Sequence, residues 1–491
     1  MRKPLGNHLL KRKIIIGLCF VLLLPACRRK SDETLKKSVV KVFSTIQFVN
    51  FYEPWKPGAD AQYQECGCVI PGQRILTTAQ MVDKSNYIEV QKFGETKRYL
   101  AKVDKIGFDM DLALLTVEDK DFFKGTDEVE FGNVPLPGDK IKIFGGDELS
   151  IKEDTASGLK FLWSTEALRT VPTILTNSEI SPNSYGCPVF SAGKLVGIPI
   201  DTTGKPEKTG SIMPVNMIQR FFKGFKDGHP YDGFPDLGIF TESLENQTIR
   251  NYYKLTPKQT GVLITKLAIN GSGIGHLKEN DVLMAIEGHS VDNEGYITLR
   301  KSERIEYDYL DAFYLMGEEA TLDILRDGKP LKVKVPLKPL SYFLPYNGDN
   351  RKPTYFMYAG FIFVPLTGNY CQMGKWENLK SELKEYWYYG NPSAERKQIV
   401  LVSHVLPHEI NTGYSPVNDF IVEKVNGQPI REMKDLITAF NKPLGRFHKI
   451  EIEDHSFFGS TIIFDAKNAK RATQEIMNNF KIPSDRSDDL K

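Results

Sequence analysis

The chain has 491 residues, with 41% hydrophobic and 26% charged residues and a net charge of +2. That is the composition of an ordinary globular protein of about three domains. Near-neutral, evenly mixed charge gives no electrostatic footprint for nucleic acid.

Arg2, Lys3, Lys11, Arg12 and Lys13 precede a short apolar run from Ile14 to Leu24. The run is short for a bilayer core of ~30 Å and reads as a signal segment. It ends at Leu24-Pro25-Ala26-Cys27, which is similar to a bacterial lipobox and implies cleavage before Cys27 and lipidation of its thiol. Proline before the alanine leaves an uncleaved membrane anchor as the alternative. The expected location is the bacterial envelope, lipid-anchored and facing the periplasm or exterior, where disulfides are permitted. Residues 28–36 are charged and without apolar periodicity, and are expected to be a tether.

Ser38–Phe43 is strand-like, Asn50–Trp55 is an aromatic loop, and Cys66–Ile70 and Arg74–Thr77 are strands around a Pro71-Gly72 turn. Further short strands are expected near 88–90 and 99–103 and within the run 107–115. Thr176–Phe190 reads as strand, tight turn and strand, and continues through Gly193–Ile198. Asn216–Phe222 reads as a helix. Short strands with frequent turn signals suggest a pair of β-barrels over residues 37–228.

Three stretches on this framework resemble the HtrA/Deg serine proteases. Cys66-Gly67-Cys68-Val69-Ile70 with Ile75-Leu76-Thr77-Thr78-Ala79-Gln80 is similar to the segment carrying the catalytic histidine. Asp111-Leu112-Ala113-Leu114-Leu115 is similar to the triad aspartate segment, and Thr176–Phe190 to the nucleophile turn. The resemblance places Gln80 where the histidine belongs and Tyr185 at the serine. Asn183 falls at the oxyanion-hole glycine, Cys187 at the second glycine, and Asp111 at the aspartate.

Acyl transfer needs a nucleophile, a base, a group that orients the base, and an oxyanion hole. Gln80 has no titratable nitrogen, Tyr185 carries a phenol of reference pKa ~10, and no histidine lies between His8 and His229. Losing the base or the nucleophile alone costs on the order of 10⁴–10⁶ in rate. The expectation is that none of these positions is catalytic. Asp111 then becomes a buried carboxylate capped by backbone N–H groups or by Gln80, with Tyr185 filling the cleft.

In the family's fold the strand of Cys66 and Cys68 lies near the nucleophile turn. One of the two is therefore expected to bond Cys187, with free buried thiols as the alternative. No metal site and no cofactor are expected.

After a turn-rich boundary at 228–235, the pattern resembles a PDZ domain over 229–343. Leu237-Gly238-Ile239 is its carboxylate-binding loop, Glu242–Tyr253 a helix beside the groove, and Leu277–Gly288 its signature, with Asn280 at a left-handed position. A second PDZ-like domain is expected over 344–491. Ala359-Gly360-Phe361 is its peptide loop, and a helical insertion covers Lys375–Gly390.

The fold class implied is mainly β: a chymotrypsin-like double barrel followed by two PDZ-like α+β domains, of plant-type Deg architecture. The function implied is a pseudoprotease that binds unfolded or C-terminal peptide segments as chaperone or adaptor. The alternatives are an active serine endopeptidase, and a structural or regulatory subunit of a Deg oligomer. Expected partners are peptide C-termini and either further copies in a trimer-based assembly or an active paralogue, with the membrane reached through the lipid.

Overall fold

The computed structural model describes residues 31–491 apart from 147, 168, 226–230, 232, 269–270, 301–302, 340–343, 345–351, 374–378, 391–392, 394, 415–416 and 454–460. The signal segment, Cys27 and half of the turn-rich boundary (residues 228–230 and 232) lie outside the described residues.

The first described element is α1 (Asp32–Lys36), a helical turn capped by the Ser31 hydroxyl. Lys142 pairs with Asp32 at 2.7 Å, and Leu35 is buried. The chain is therefore ordered against the fold from residue 31, which corrects the expected tether through 36. One buried leucine and one ion pair have no periodicity to betray them in so short a segment.

Six strands close the first barrel: β1 (Val39–Val49), β2 (Pro57–Ile70), β3 (Arg74–Thr77), β4 (Ser85–Lys92), β5 (Arg98–Gly107) and β6 (Leu112–Val117), in the order β1-β2-β3-β6-β5-β4. In β1, Val40, Val42, Ser44 and Ile46 point inward on the two-residue period of a strand. Six more close the second: β7 (Lys140–Gly145), β8 (Ser150–Ser164), β9 (Arg169–Thr176), β10 (Val189–Ser191), β11 (Lys194–Pro199) and β12 (Ser211–Pro214), in the order β10-β11-β12-β9-β8-β7. A full closure leaves no sheet edge open in either barrel. One apolar cluster, including Cys66, Leu112, Phe144, Cys187, Phe190 and Phe221, joins the two barrels. α2 (Val215–Lys223) supplies Phe221 and packs back on β11 and β12.

The β1–β2 hairpin is longer than the barrel needs. Its tip carries the aromatic loop into the second PDZ-like domain. Phe51 is 4% exposed and meets Tyr370 edge-on at 5.3 Å, and Trp55 lies 5.8 Å from Tyr355. Ser403 donates to the Phe51 carbonyl at 3.1 Å.

The first PDZ-like domain is built on the sheet Ile239–Ser243, Val262–Leu267, Val282–Ile286, Glu319–Arg326 and Lys329–Pro336, in that order. Asn280 takes the left-handed backbone expected of it, with φ +73°. The helix beside the sheet is Gln247–Tyr252, shorter than the expected Glu242–Tyr253. Asn246 fixes its start by accepting from the N–H groups of Thr248 and Ile249, while residues 242 and 243 end the preceding strand.

The sheet of the last domain has seven described strands: Phe356–Tyr358, Phe361–Pro365, Val400–Val405, Phe420–Val425, Phe447–Glu453 and Thr461–Asp465 in that order, with the short Gln428–Pro429 pairing off the path with Phe420–Val425. Helices Gly368–Met373 and Ser381–Tyr389 lie between the second and third of these, in the region of the expected insertion. The helices Met433–Phe440 and Ala466–Phe480 each bury one face.

Candidate functional site

The seam between the barrels gathers the positions singled out in the sequence. Cys66 on β2 and Cys187 just before β10 form a disulfide, with Cα atoms 4.6 Å apart. Cys68 and Cys371 are free and buried. Burial pushes both thiols up to about 12, so neither is a thiolate nucleophile near neutral pH. The Cys66 N–H donates to the Tyr185 carbonyl at 3.4 Å, so the bridge and this bond hold β2 against the turn. Gly186 makes that approach possible: it sits at φ +72°, and a Cβ there would come within 2.5 Å of the Cys66 carbonyl oxygen.

The turn is a 3₁₀ helix, Pro182–Ser184. Its closing bond runs from the Tyr185 N–H to the Pro182 carbonyl at 3.0 Å. An oxyanion hole at this position would need that N–H free to face the substrate oxygen. Ser184, the adjacent hydroxyl, is buried against Gly145: a Cβ added to that glycine would lie 2.0 Å from Ser184 Oγ.

Asp111 follows the short 3₁₀ helix Phe108–Met110 and takes left-handed backbone at φ +50°. It is 1% exposed. Its Oδ1 accepts from the backbone N–H of Gln80 at 2.8 Å. The side chain of Gln80 was expected to donate here as well and does not. Gln80 Nε2 and Asp111 Oδ2 are both buried with no hydrogen-bond partner among the described residues. The amide belongs to β3's continuation, whose backbone reaches the carboxylate first. Nor does Tyr185 join Gln80 in a plug: its hydroxyl donates to Asp201 Oδ1 at 3.1 Å. Burial and then Asp201 raise the phenol further above its ordinary range, so it stays protonated.

Two other acids stand beside these residues, and the sequence motifs did not reveal them. Glu65, next to the bridged Cys66, accepts from the Thr78 hydroxyl at 2.9 Å. Burial raises it to about 7, with the Thr78 bond opposing and Glu166 adding to the rise. Glu166, in the β8–β9 connection, is raised by burial and by Asp201. Asp111 is lifted well above the usual carboxylate range, first by burial and then by Glu166. No motif spacing links residues 65, 111, 166 and 201, and only the closure of two barrels brings them together.

The two peptide loops differ from one another. In the first, Gly238 has φ +67°, a Cβ there would meet the Gly271 Cα at 2.5 Å, and the Leu237 carbonyl accepts from Gly273 N–H at 2.8 Å. The Gly238 N–H donates to the chain's own Asp236 at 2.7 Å, and Arg169 of β9 approaches that carboxylate at 3.7 Å. The adjoining strand, Ile239–Ser243, is at the sheet's edge and is paired on one side only among the described residues.

The second loop is not a free peptide site, which corrects the expectation for Ala359, Gly360 and Phe361. Ala359 and Gly360 form the turn of a hairpin, and Phe361 begins its second strand. The strand Phe361–Pro365 is paired on one side by Phe356–Tyr358 and on the other by Val400–Val405. The Ala359 N–H donates to Thr473 Oγ1 at 2.8 Å, and Asn411 Nδ2 donates to the Ala359 carbonyl at 2.9 Å. Both sides of this strand are thus occupied by the chain's own strands, where strand addition would need an open one.

Among the described residues, no three histidine, cysteine, aspartate or glutamate side chains are arranged to hold a metal ion.

Residues 344–489 match the family model of the PDZ domain. Across nearly its whole length the chain is similar to plant Do-like proteases. It is 28% identical to a putative mitochondrial protease Do-like 3 of Arabidopsis thaliana, over 92% of this chain and 80% of that one. It is also 28% identical to the putative protease Do-like 13 of the same plant, over 100% and 96%. Among solved structures, the HtrA-type protease AlgW with a decapeptide overlays 62% of this chain and 95% of its own, with a TM-score of 0.45 and 15% identity. With two closed barrels in series and a PDZ domain behind them, the chain is similar in architecture, and along nearly its whole length in sequence, to the PDZ-bearing Do-like proteases.

Proposed function

We propose that this chain is a catalytically silent HtrA/Deg protein that binds unfolded or C-terminal peptide segments, as a chaperone or adaptor in the bacterial envelope. The observation that carries the reading is the nucleophile turn. Its 3₁₀ bond from Tyr185 N–H to the Pro182 carbonyl takes up the oxyanion donor. Gln80 beside Asp111 offers no base, and a phenol held protonated by burial and then by Asp201 offers no nucleophile. Such a frame keeps the cleft and the PDZ-like edge strand Ile239–Ser243 as binding surfaces while lacking the means to cut. Attachment to the membrane through a lipid on Cys27, and assembly with further copies or with an active paralogue, complete the reading.

The purified chain is incubated with reduced, unfolded β-casein beside a competent Deg protease. The expected outcome is a stable complex by sedimentation and no new casein N-termini. Casein cleavage at a rate within tenfold of the competent enzyme, or the absence of any complex, refutes the reading. Intact mass of the membrane-extracted protein tests the anchor: acyl groups on Cys27 are expected, and a Cys27→Ala chain that is processed and retained unchanged rules it out.

A further inference from the structure

Among the described residues, the first PDZ-like domain keeps an open strand edge while the place of a bound chain end is already filled. Gly238 lies just before the strand Ile239–Ser243, and its carbonyl accepts from the Ala268 N–H at 2.8 Å. That bond turns Gly238 inward, toward the partner strand Val262–Leu267. In an antiparallel ladder the next residue turns the other way, so the N–H and carbonyl of Ile239 face the unpaired side. The extra residue at the register shift, Thr265, belongs to the partner strand, and the alternation therefore carries on to Thr241. Solvent reaches this strand: Phe240 is 40% exposed, and Glu242 and Ser243 are exposed. The edge is accessible and offers main-chain groups to an added strand.

At the end of that edge the Asp236 carboxylate occupies the loop. Its Oδ1 accepts from the Gly238 N–H at 2.7 Å. The terminal carboxylate of a peptide would compete for that N–H and lie against a fixed negative charge. The backbone of Asp236 is pinned. It pairs with Lys338, and its carbonyl accepts from the Ser272 hydroxyl at 2.5 Å, whose oxygen in turn accepts from the Lys338 N–H at 2.9 Å. Arg169 holds the other carboxylate oxygen at 3.7 Å. The loop is tied as well: the carbonyls of Leu237 and Gly238 accept from Gly273 and Ala268, and a Cβ on Gly271 would meet the Gly238 Cα at 2.8 Å. The Asp236 side chain is nonetheless 30% exposed, so its charge is displayed to solvent at the mouth of the loop. A neutral main-chain carbonyl suits the Ile239 N–H beside this charge, and a second carboxylate does not.

We infer that the edge strand Ile239–Ser243 takes extended segments from the interior of an unfolded polypeptide, with Asp236 standing where a terminal carboxylate would otherwise bind. This rests on the reading of the chain as a peptide binder, and names the class of segment its first PDZ-like domain selects.

The test uses the full chain in detergent and twelve-residue segments that tile β-casein, each in two fluorescein-labelled forms. One form ends in a free carboxylate. The other is embedded: six glycine and serine residues continue it on both sides, and both ends are blocked. By fluorescence anisotropy, the embedded form of each binding segment is expected to bind within twofold of the free-ended form, or more tightly. In Asp236→Ala the free-ended form should become the tighter by about tenfold. Thr241→Pro removes an edge-facing N–H without loss of a ladder bond, as edge strands tolerate, and should weaken the embedded form at least tenfold. Should that variant disturb folding, N-methylation of alternate amides in the segment is the second measurement, and one of the two alternating sets should abolish binding.

Free-ended forms that bind more than twofold tighter than embedded ones overturn the inference while leaving peptide binding intact, as does a ratio unmoved by Asp236→Ala. Embedded binding that survives in the folded Thr241→Pro chain, or in both methylated sets, also overturns it. So does binding of intact casein without binding of any segment. If no segment binds and casein does not bind either, the binding reading itself falls.

Discussion

Reduction of the Cys66–Cys187 bridge should be a large destabilisation obtained without removing any side chain from the apolar cluster at the seam. The bridge spans a sequence separation of 121 residues and closes β2 onto the nucleophile turn across the barrel seam. In the chain-entropy account, releasing a loop of that length costs about 5 kcal/mol. With a urea m-value of about 2 kcal/mol/M, the transition of the barrel unit should move down by about 2.5 M. The comparison is between oxidised protein, protein in excess phosphine, and Cys66→Ala/Cys187→Ala, followed by tryptophan fluorescence. Trp163 on β8 and Trp55 in the hairpin tip serve as reporters. The reduced protein and the double alanine variant should unfold together, well below the oxidised protein. Coincident transitions for oxidised and reduced protein would refute the argument, as would quantitative alkylation of both thiols without reductant.

Three further outcomes follow from other parts of the molecule. Glu65→Gln keeps the acceptor for Thr78 and removes the buried charge. Because the folded-state pKa of Glu65 is raised to about 7, its contribution is fully favourable below the unfolded value and is lost as pH rises through 7. The variant should therefore gain up to ~3 kcal/mol at pH 8 and nothing at pH 4, read by calorimetry, and an equal gain at both values would contradict this. In the first PDZ-like domain, Asp236 already accepts from the Gly238 N–H, so free and amidated copies of a bound peptide should differ by less than about twofold in affinity, and Asp236→Ala should widen the gap to about tenfold, the order of one charge-assisted hydrogen bond. A wide gap in the unchanged protein would mean that Asp236 yields to the carboxylate. Phe51→Ala should cost about 3–5 kcal/mol of hairpin docking and make the 47–57 tip a protease-sensitive site under conditions where the parent resists, and an unchanged digestion pattern would show that the tip is not held by this ring.

The double barrel was legible because its signals are local and ordered along the chain: apolar alternation in β1, the apolar run 112–115 in β6, and motifs at residues 66–80, 111–115 and 176–198. The full length of β2 was not, since Pro57–Gln64 is polar and exposed and owes its strand form to pairing with β1 rather than to burial. A small-residue turn between apolar runs is the same text whether it opens a peptide groove or joins two paired strands, and so Leu237-Gly238-Ile239 and Ala359-Gly360-Phe361 read alike. They part only in space, where Phe356–Tyr358 folds back on the second. At the seam, the sequence named positions 80, 111, 183 and 185 but had no means to add Glu65 and Glu166, or to tell that Gln80 would meet Asp111 through its backbone.

The central claim is chemical silence behind a protease-like frame, and fluorophosphonate labelling tests it most directly. The full chain is exposed to a fluorophosphonate probe at pH 8 beside a competent Deg protease, and labelled peptides are mapped by mass spectrometry. No labelled serine is expected in the unchanged protein, whereas Gln80→His/Tyr185→Ser/Asn183→Gly should acquire some label at position 185. The triple change is needed because one missing oxyanion donor alone costs about 10²–10³ in rate. Stoichiometric labelling of the unchanged protein, lost on Ser184→Ala, would contradict the account.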